Sequence, residues 1–335
     1  MKTQTSQPEW TQPGWFGQAS SWIHDQLEKQ GITVAGQIEQ PHVRPWSTVL
    51  RVSTSAGNYF FKATSSVLMH EAAITQALSH WFPANTPTLI ATDLQRGWML
   101  MSDGGVRLRE ILTADRDIRH WEKLLPIFAE LQIELVSHIQ LLLAMGIPNR
   151  QLETLPAQYE QLLVDRTVLL IDQPEGLTIG EYHRLCDFLP HFKVLCEKLA
   201  GYQIPESIHH GDFHDGNIFI TNGRYIFFDW GDSSIAHPFF CLRTVFVSME
   251  NTLQVENNDP GFERLRDAYL EPWTRYQPRE QLLAGFKLAQ ILSSISSALG
   301  WYRVISSMEA SQRKDYVEAI PSLLQEFLDN EVFQL

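Results

Sequence analysis

A chain of 335 residues, 44% hydrophobic and 19% charged, has the composition of a globular protein and length enough for one large domain or two lobes. Its formal net charge of −13 argues against nucleic acid or an anionic membrane as partner, because phosphates recruit basic patches. Cys186, Cys196 and Cys241 lack metal-ligand spacing, the opening stretch has no apolar segment, and the longest apolar run (residues 139–147) is too short to span a bilayer; a cytoplasmic protein with reduced thiols is expected.

Residues 1–14 are polar and expected to be flexible. Over residues 15–30, Ala19, Trp22, Ile23, Gln26 and Leu27 recur at helical spacing before Gly31, which predicts an amphipathic helix. Strand-like runs follow at 33–34, 47–52 and 58–62, with turn residues at 55–58, and predict a small antiparallel sheet. Its first hairpin turns around Pro45, Trp46, Ser47 and Thr48. Lys62 ends an aromatic strand, and a lysine among buried neighbours needs an anionic partner. Glu71 follows nine residues later, at the start of a helical pattern that runs to Trp81. Strands at 89–93 and 98–102 form another hairpin, and the second runs into Gly104 and Gly105, a flexible pair suited to a hinge.

The remainder reads as helix almost to the end. Residues 121–145 are too apolar for a surface helix and predict a buried central one that stops at Gly146 and Pro148. Further helices are predicted at 155–171, 180–201, 239–249, 261–275, 278–304 and 309–330, with an exposed loop at 257–261. The expected division is a flexible 1–14, a sheet-bearing lobe at 15–102 and a helical lobe at 103–335.

One stretch carries the chemistry: SIHHGDFHDGNIFITNGRYIFFDWGDSSIAHP, residues 207–238. Residues 218–220 and 225–228 are β-branched and aromatic, and Asn222-Gly223 between them supplies the positive φ angles of a tight turn. The predicted hairpin brings Asn217 and Asp229 to neighbouring strand ends, with Asp212 in the loop before it. Two oxygen ligands for Mg²⁺ and a carboxylate able to take or orient a hydroxyl proton suit phosphoryl transfer. The same stretch holds His209, His210, Asp212, His214 and Asp215, so a metal hydrolase is a competing chemistry, although it leaves Asn217 and Asp229 idle.

The spacing from His210-Gly211-Asp212 to Asn217 resembles the catalytic loop of eukaryotic-like kinases, and Asp229-Trp230-Gly231 resembles their D-F-G segment. Gly211 in place of Arg, and Trp230 in place of Phe, make both segments resemble the aminoglycoside phosphotransferase and choline kinase family, over residues from about Gln37 to Met249. The resemblance implies an α+β, bilobal protein-kinase-like fold with a small antiparallel-sheet N-lobe and a mostly helical C-lobe. It implies an ATP-dependent small-molecule kinase that moves the γ-phosphate to a hydroxyl of an aminoglycoside, amino sugar, amino alcohol or similar acceptor. Asp212 would be the catalytic residue, Asn217 and Asp229 the Mg²⁺ ligands, and Lys62, held by Glu71, a phosphate contact. No Gly-rich loop is present, so phosphate contacts from the first hairpin would come from backbone N–H groups and the hydroxyls of Ser47 and Thr48. Ser102 and Gly104 would match the segment that binds the adenine edge through backbone groups. Asp232 would be a further metal ligand or an acceptor contact, while His214 and Asp215 receive no role. A kinase-shaped nucleotide-binding protein without transfer activity is the alternative, against which every ligating position of the motif is filled. The carboxylates of Asp232, Glu250, Glu256, Asp259, Glu263, Asp267 and Glu271 predict a cationic acceptor over an anionic one.

Overall fold

The computed structural model describes residues 8–256 and 259–330; Asn257 and Asn258 of the expected loop, and residues 1–7 of the expected flexible segment, lie outside them. The strands are β1 (Glu39–Val43), β2 (Ser47–Thr54), β3 (Gly57–Thr64), β4 (Leu89–Asp93), β5 (Trp98–Ser102), β6 (Val106–Arg107), β7 (Ser207–His209), β8 (Ile218–Thr221), β9 (Arg224–Phe227) and β10 (Ser234–Ala236). The first four helices are α1 (Trp15–Glu28), α2 (His70–Trp81), α3 (Leu108–Asp115) and α4 (Arg119–Leu135). The chain divides into two compact units. The smaller holds the described residues up to Leu108, with Gly216–Gly231 and Ser307–Gln312; the larger holds Arg109–Asp215, Asp232–Ser306 and the rest. A single boundary after residue 102 would separate the β8–β9 hairpin from the N-terminal sheet, whereas the two belong to one unit.

In the smaller unit an antiparallel sheet runs in the order β1-β2-β3-β5-β4. Strand alternation splits its residues between two faces. Leu50, Val52, Phe61, Ala63, Trp98 and Leu100 face α1, whose Trp15, Ala19, Ile23 and Leu27 fall one helical turn apart on one side. Trp98 meets Phe61, Trp22 and Trp15 edge-on, with ring centroids 5.3, 5.7 and 6.1 Å apart, a geometry that suits the aromatic quadrupole. Trp10 joins this core and donates its indole N–H to the Arg44 carbonyl at 3.0 Å, so residues 8–14 are anchored chain and not the loose segment expected of them. Val34 forms only an isolated bridge to Thr54, and the strand that precedes β2 is instead β1, bulged between Glu39 and His42.

The β8–β9 hairpin pairs with β6 in a second, three-stranded sheet. Asn222 and Gly223 take φ values of 51° and 73°, the left-handed pair that the tight turn requires. Asn85 ties the hairpin down: its amide donates to the Tyr225 carbonyl at 3.0 Å, and its own carbonyl accepts from Phe227 N–H at 2.8 Å.

The larger unit is mainly helical. Trp121, Leu124, Leu125 and Phe128 of α4 are buried, as its composition requires. The predicted continuation to Met145 breaks into a 3₁₀ turn, Val136–His138, and a short helix, Ile139–Ala144, with Leu141 exposed. Ser137 donates its hydroxyl back to the Glu134 carbonyl at 3.1 Å, a local bond that competes with the helical ladder. The predicted 155–171 helix likewise parts at Asp165, whose carboxylate caps the Thr167 N–H at 3.2 Å. Two stretches, Arg119–Ala144 and Arg279–Ser307, are long and apolar enough by length and composition to cross a membrane; 39% and 61% of their most apolar windows are buried in the protein. The three cysteines are unpaired thiols.

Strands β7 and β10 pair antiparallel and carry the ends of the His210–Ser233 segment. Their position is fixed from α4 by Gln132, which is fully buried. Its amide donates to the Ile208 carbonyl at 2.7 Å, its Oε1 accepts from the Tyr269 hydroxyl at 2.6 Å, and its backbone carbonyl accepts from Ser207 Oγ at 2.5 Å. Gln132→Leu keeps the volume but strands the Ile208 carbonyl, while the Tyr269 hydroxyl keeps the Pro238 carbonyl at 2.9 Å. A stranded buried group costs about 1–3 kcal/mol, so urea unfolding should show a loss in that range. A loss below about 1 kcal/mol would mean that this network does not hold β7.

Candidate active site

A cavity of about 420 Å³ opens on the face of the sheet opposite α1, entirely within the smaller unit. Register explains its lining. Across β2, β3 and β5 the row Val49–Lys62–Met99 and the row holding Phe60 and Met101 face the cavity. Phe219 and Phe228 of the hairpin add apolar rings, Lys62, Glu71, Asn217 and Asp229 form the polar end, and His42 and Arg107 complete the lining, the guanidinium over the Phe219 ring.

Lys62 is the centre of that end. Its Nζ lies 2.7 Å from Glu71 Oε1 and 2.6 Å from Asp229 Oδ1, with only 10% of its side chain exposed. Burial pulls the lysine pKa down, but the charges and hydrogen bonds of Asp229 and Glu71 outweigh it and hold the ammonium above its ordinary value. Asp229 adopts φ 64°, an uncommon conformation for a non-glycine residue, and its side chain stays 44% exposed to the cavity. The Phe228 N–H donates to the Asn217 carbonyl at 2.9 Å, so the two metal-ligand candidates sit at adjoining strand ends. Burial first, then Arg44 and Lys62, lower the pKa of His42, which favours a neutral ring on the cavity wall.

Ser47 and Gly104 line the cavity as expected of nucleotide contacts, but Thr48 and Ser102 do not. The reason is alternation. Thr48 falls in the row with Ala63 and Trp98, and Ser102 in the row with Val52 and Tyr59, both on the α1 face. Thr48 is fully buried, donating its hydroxyl to the His42 carbonyl at 2.7 Å, and the Ser102 N–H is taken by the Thr88 carbonyl at 3.0 Å. Asp103 takes the place expected of Ser102. At Gly104 a Cβ would lie 2.7 Å from the Phe228 ring, so only glycine lets that ring close the wall. His42 and Arg107 escaped the sequence reading because the first sits on a strand of polar and proline residues and the second on a two-residue strand.

Asp212 belongs to the larger unit. The turn before it is built on Gly211, whose φ is 84° and whose Cβ would stand 2.2 Å from the Asp232 carbonyl oxygen. An arginine, as in protein kinases, has no room there. The buried His210 accepts the Asp212 N–H on Nδ1 at 3.3 Å and packs on Phe213. Asp212 Oδ2 lies 3.2 Å from His214 Nε2, and His214 Nδ1 lies 3.3 Å from Arg109 Nη2. Arginine has only donors, so in the neutral ring Nδ1 accepts from Arg109 and Nε2 carries the proton offered to Asp212. Arg109 is in turn fixed by Asp215 at 2.7 Å, and the fully buried Asp215 carboxylate also accepts from Thr252 at 2.6 Å. His214 and Asp215 thus acquire the role that the sequence did not reveal: they brace Asp212.

A cleft of about 600 Å³ runs beside Asp212 and His214, bounded by Arg109, Thr113 and the Cys241–Leu253 helix. None of the seven carboxylates expected to attract a cation lines it. Asp267 pairs with Arg266 and Arg279, Glu263 with Arg266, and Asp259 caps the Gly261 N–H. Asp232 instead sits in the field of Arg150 and Arg303. The metal-hydrolase cluster does not assemble either. Burial drives the pKa of His209 down to about 3, aided by Arg150 and His210, and among the described residues no three His, Cys, Asp or Glu side chains group to hold a metal.

The sequence profile of the phosphotransferase enzyme family matches residues 44–279, more than half of the chain. The chain belongs to this family. Its fold is kinase-like: Plasmodium vivax ethanolamine kinase superposes with a TM-score of 0.62 at 13% identity, covering 96% of this chain and 90% of that one. Choline kinase from Streptococcus pneumoniae gives 0.58 at 14% identity, covering 93% and 98%. A spectinomycin phosphotransferase, solved with ADP and spectinomycin, gives 0.51 at 13% identity, covering 92% and 94%. No curated protein matches by sequence.

The brace on Asp212 has a pH signature. Burial lowers the pKa of His214, but the hydrogen bond and charge of Asp212 outweigh burial and the repulsion of Arg109, so the net shift is upward from 6.5. A raised histidine pKa stabilises the fold fully below the unfolded value and loses that contribution as pH rises through the folded one. His214→Gln keeps an N–H donor but removes the charge. Its deficit in melting temperature against wild type should be largest near pH 5.5 and shrink towards pH 9; a deficit that stays constant would place no charge on the pair.

Proposed function

We propose that this protein is a small-molecule kinase that transfers the terminal phosphate of ATP to a hydroxyl of a small polar acceptor. The observation that carries this reading is the Lys62 ammonium held between Glu71 and Asp229 in one cavity with Asn217 and an apolar wall. That wall of Val49, Phe60, Met99, Met101, Phe219 and Phe228 suits a flat base, and the volume lies in the range of small-ligand sites. Lys62 brings positive charge to the polar end, where the phosphates would lie, and Arg107 adds a second cation to the lining.

The donor set fits Mg²⁺. Asn217 and Asp229 offer one amide and one carboxylate oxygen to the same cavity, and Mg²⁺ is held by one or two such groups together with substrate phosphates. Bound there, the ion would neutralise charge on those phosphates. The residues of the chain do the rest. Glu71 keeps Lys62 charged and directed into the cavity. Asp212 takes or orients the proton of the acceptor hydroxyl, while His214 holds one of its oxygens. The acceptor oxygen forms a bond to the terminal phosphorus as the bond to the ADP oxygen breaks. Along the chain five residues separate Asp212 from Asn217, the spacing shared with kinase catalytic loops.

Phosphorus NMR of the protein with Mg·ATP and a panel of sugars, amino sugars and amino alcohols tests the reading through the appearance of ADP with a phosphomonoester. Asp212→Asn is expected to slow transfer by ~10²–10⁴-fold with nucleotide affinity unchanged, the range typical of a general base. A rate within about tenfold of wild type would remove Asp212 from that role. Nucleotide binding without transfer to any acceptor would favour a kinase-shaped binding protein.

A further inference from the structure

Resting on the phosphotransferase reading, we infer that the acceptor is a neutral, polyhydroxylated molecule of sugar or cyclitol size, bound on the polar face of the Cys241–Leu253 helix. Thr244, Ser248 and Asn251 stand at i, i+4 and i+7 of that helix and so share one face, which lines the Asp212 cleft with Val247 between them. Gln254 closes its end from a left-handed backbone (φ 53°) at the helix C-terminus, and Thr113 of α3 adds a hydroxyl. Among the described residues, the side chains of Thr244, Asn251 and Gln254 make no hydrogen bond. Together they offer both donors and acceptors to a ligand, a combination that matches hydroxyl groups.

The charges around the cleft argue against the other acceptor classes. Three charge-bearing side chains line it, and each already has a partner of its own. Arg109 is bound to Asp215, whose carboxylate is buried in the wall, and Asp212 is bound to His214. Among the described residues no carboxylate besides Asp212, which the reaction itself uses, and no Phe, Tyr or Trp ring lines the cleft, so an amine finds no second counter-charge and a quaternary ammonium no cage of ring faces. An anionic acceptor would face the Asp212 carboxylate with Arg109 already neutralised. A neutral polyol meets neither obstacle, and the 600 Å³ holds a single ring with room to spare.

The test is a steady-state comparison, with Mg·ATP, of ring-matched acceptors: glucose, glucosamine and glucuronate, with myo-inositol, ribose, choline and ethanolamine beside them. The expected result is a kcat/KM at least about tenfold higher for a neutral polyol than for its amino or acidic counterpart, with little dependence on salt. Asn251→Leu should raise the acceptor KM about tenfold and leave the KM for ATP unchanged. Asn251→Asp should turn the preference towards the amino sugar. Transfer that favours the amine in the wild type, or discrimination untouched by both substitutions, overturns the inference and leaves phosphoryl transfer standing. Absence of transfer to every acceptor, with no nucleotide binding, overturns the phosphotransferase reading and this inference with it.

Discussion

A lysine that is nearly buried and must stay charged is the constraint on which the smaller unit depends. Lys62 lies in the middle of a sheet whose opposite face is packed with tryptophan and phenylalanine, and an unpaired ammonium there would be costly to desolvate. Two carboxylates resolve the problem, and each fixes an element. Glu71 sets where the first turn of α2 lies against the sheet. Asp229 sets where the chain leaves β9, in a backbone conformation that a non-glycine residue seldom takes. Removing one partner from a buried ion pair commonly costs about 3–5 kcal/mol, because the other charge remains. The half-exposed Asp229 is the member of this trio able to turn to a metal, while the buried Glu71 keeps the lysine in place.

Asp212 in the larger unit is governed by a different constraint, one of space and hydrogen bonding. The Asp232 carbonyl presses on Gly211, His210 receives the amide of Asp212, and Gln132 holds β7 from beneath. From the side, the run Asp215–Arg109–His214 ends on the carboxylate itself. The general-base role proposed for Asp212 requires its oxygen to be presented at a defined place, and such supports are what hold it there. Among the described residues, the charged side chains lining the cleft beside it are Arg109, paired with Asp215, and Asp212, paired with His214, although the protein as a whole is strongly acidic. Whole-protein charge speaks to association and solubility, whereas the side chains within contact distance decide what a site accepts.

The parts of the fold legible in the sequence were those encoded over short range. The 218–221 and 224–227 hairpin follows from β-branched and aromatic runs around Asn-Gly, and α1 from its apolar spacing. The expectation that Lys62 needs an anion held for Glu71, while its second partner, Asp229, lies 167 residues away and left no local trace. The Thr48 hydroxyl is turned from the cavity by register: one residue along a strand reverses the face, and composition does not say which face is the cavity. β1 is not legible because Glu39, Gln40, Pro41 and His42 carry no strand signal and are held by contacts with β2: the strand pairing, the Glu39–Arg51 ion pair and the bonds of Gln40 and His42 to Thr48. The acidic residues misled for another reason: Arg266 beside Glu263 and Asp267 in sequence, and Arg279 twelve residues on, neutralise two of them.

The central claim is that the trio of Lys62, Glu71 and Asp229 holds a magnesium nucleotide. Calorimetric titration of a non-hydrolysable ATP analogue into the protein, with and without Mg²⁺ and again with Asp229→Ala, addresses it most directly. The account expects one nucleotide per chain, binding at least about tenfold tighter with Mg²⁺ and losing that gain in the variant. No binding, or an affinity indifferent both to the metal and to the loss of Asp229, would contradict it.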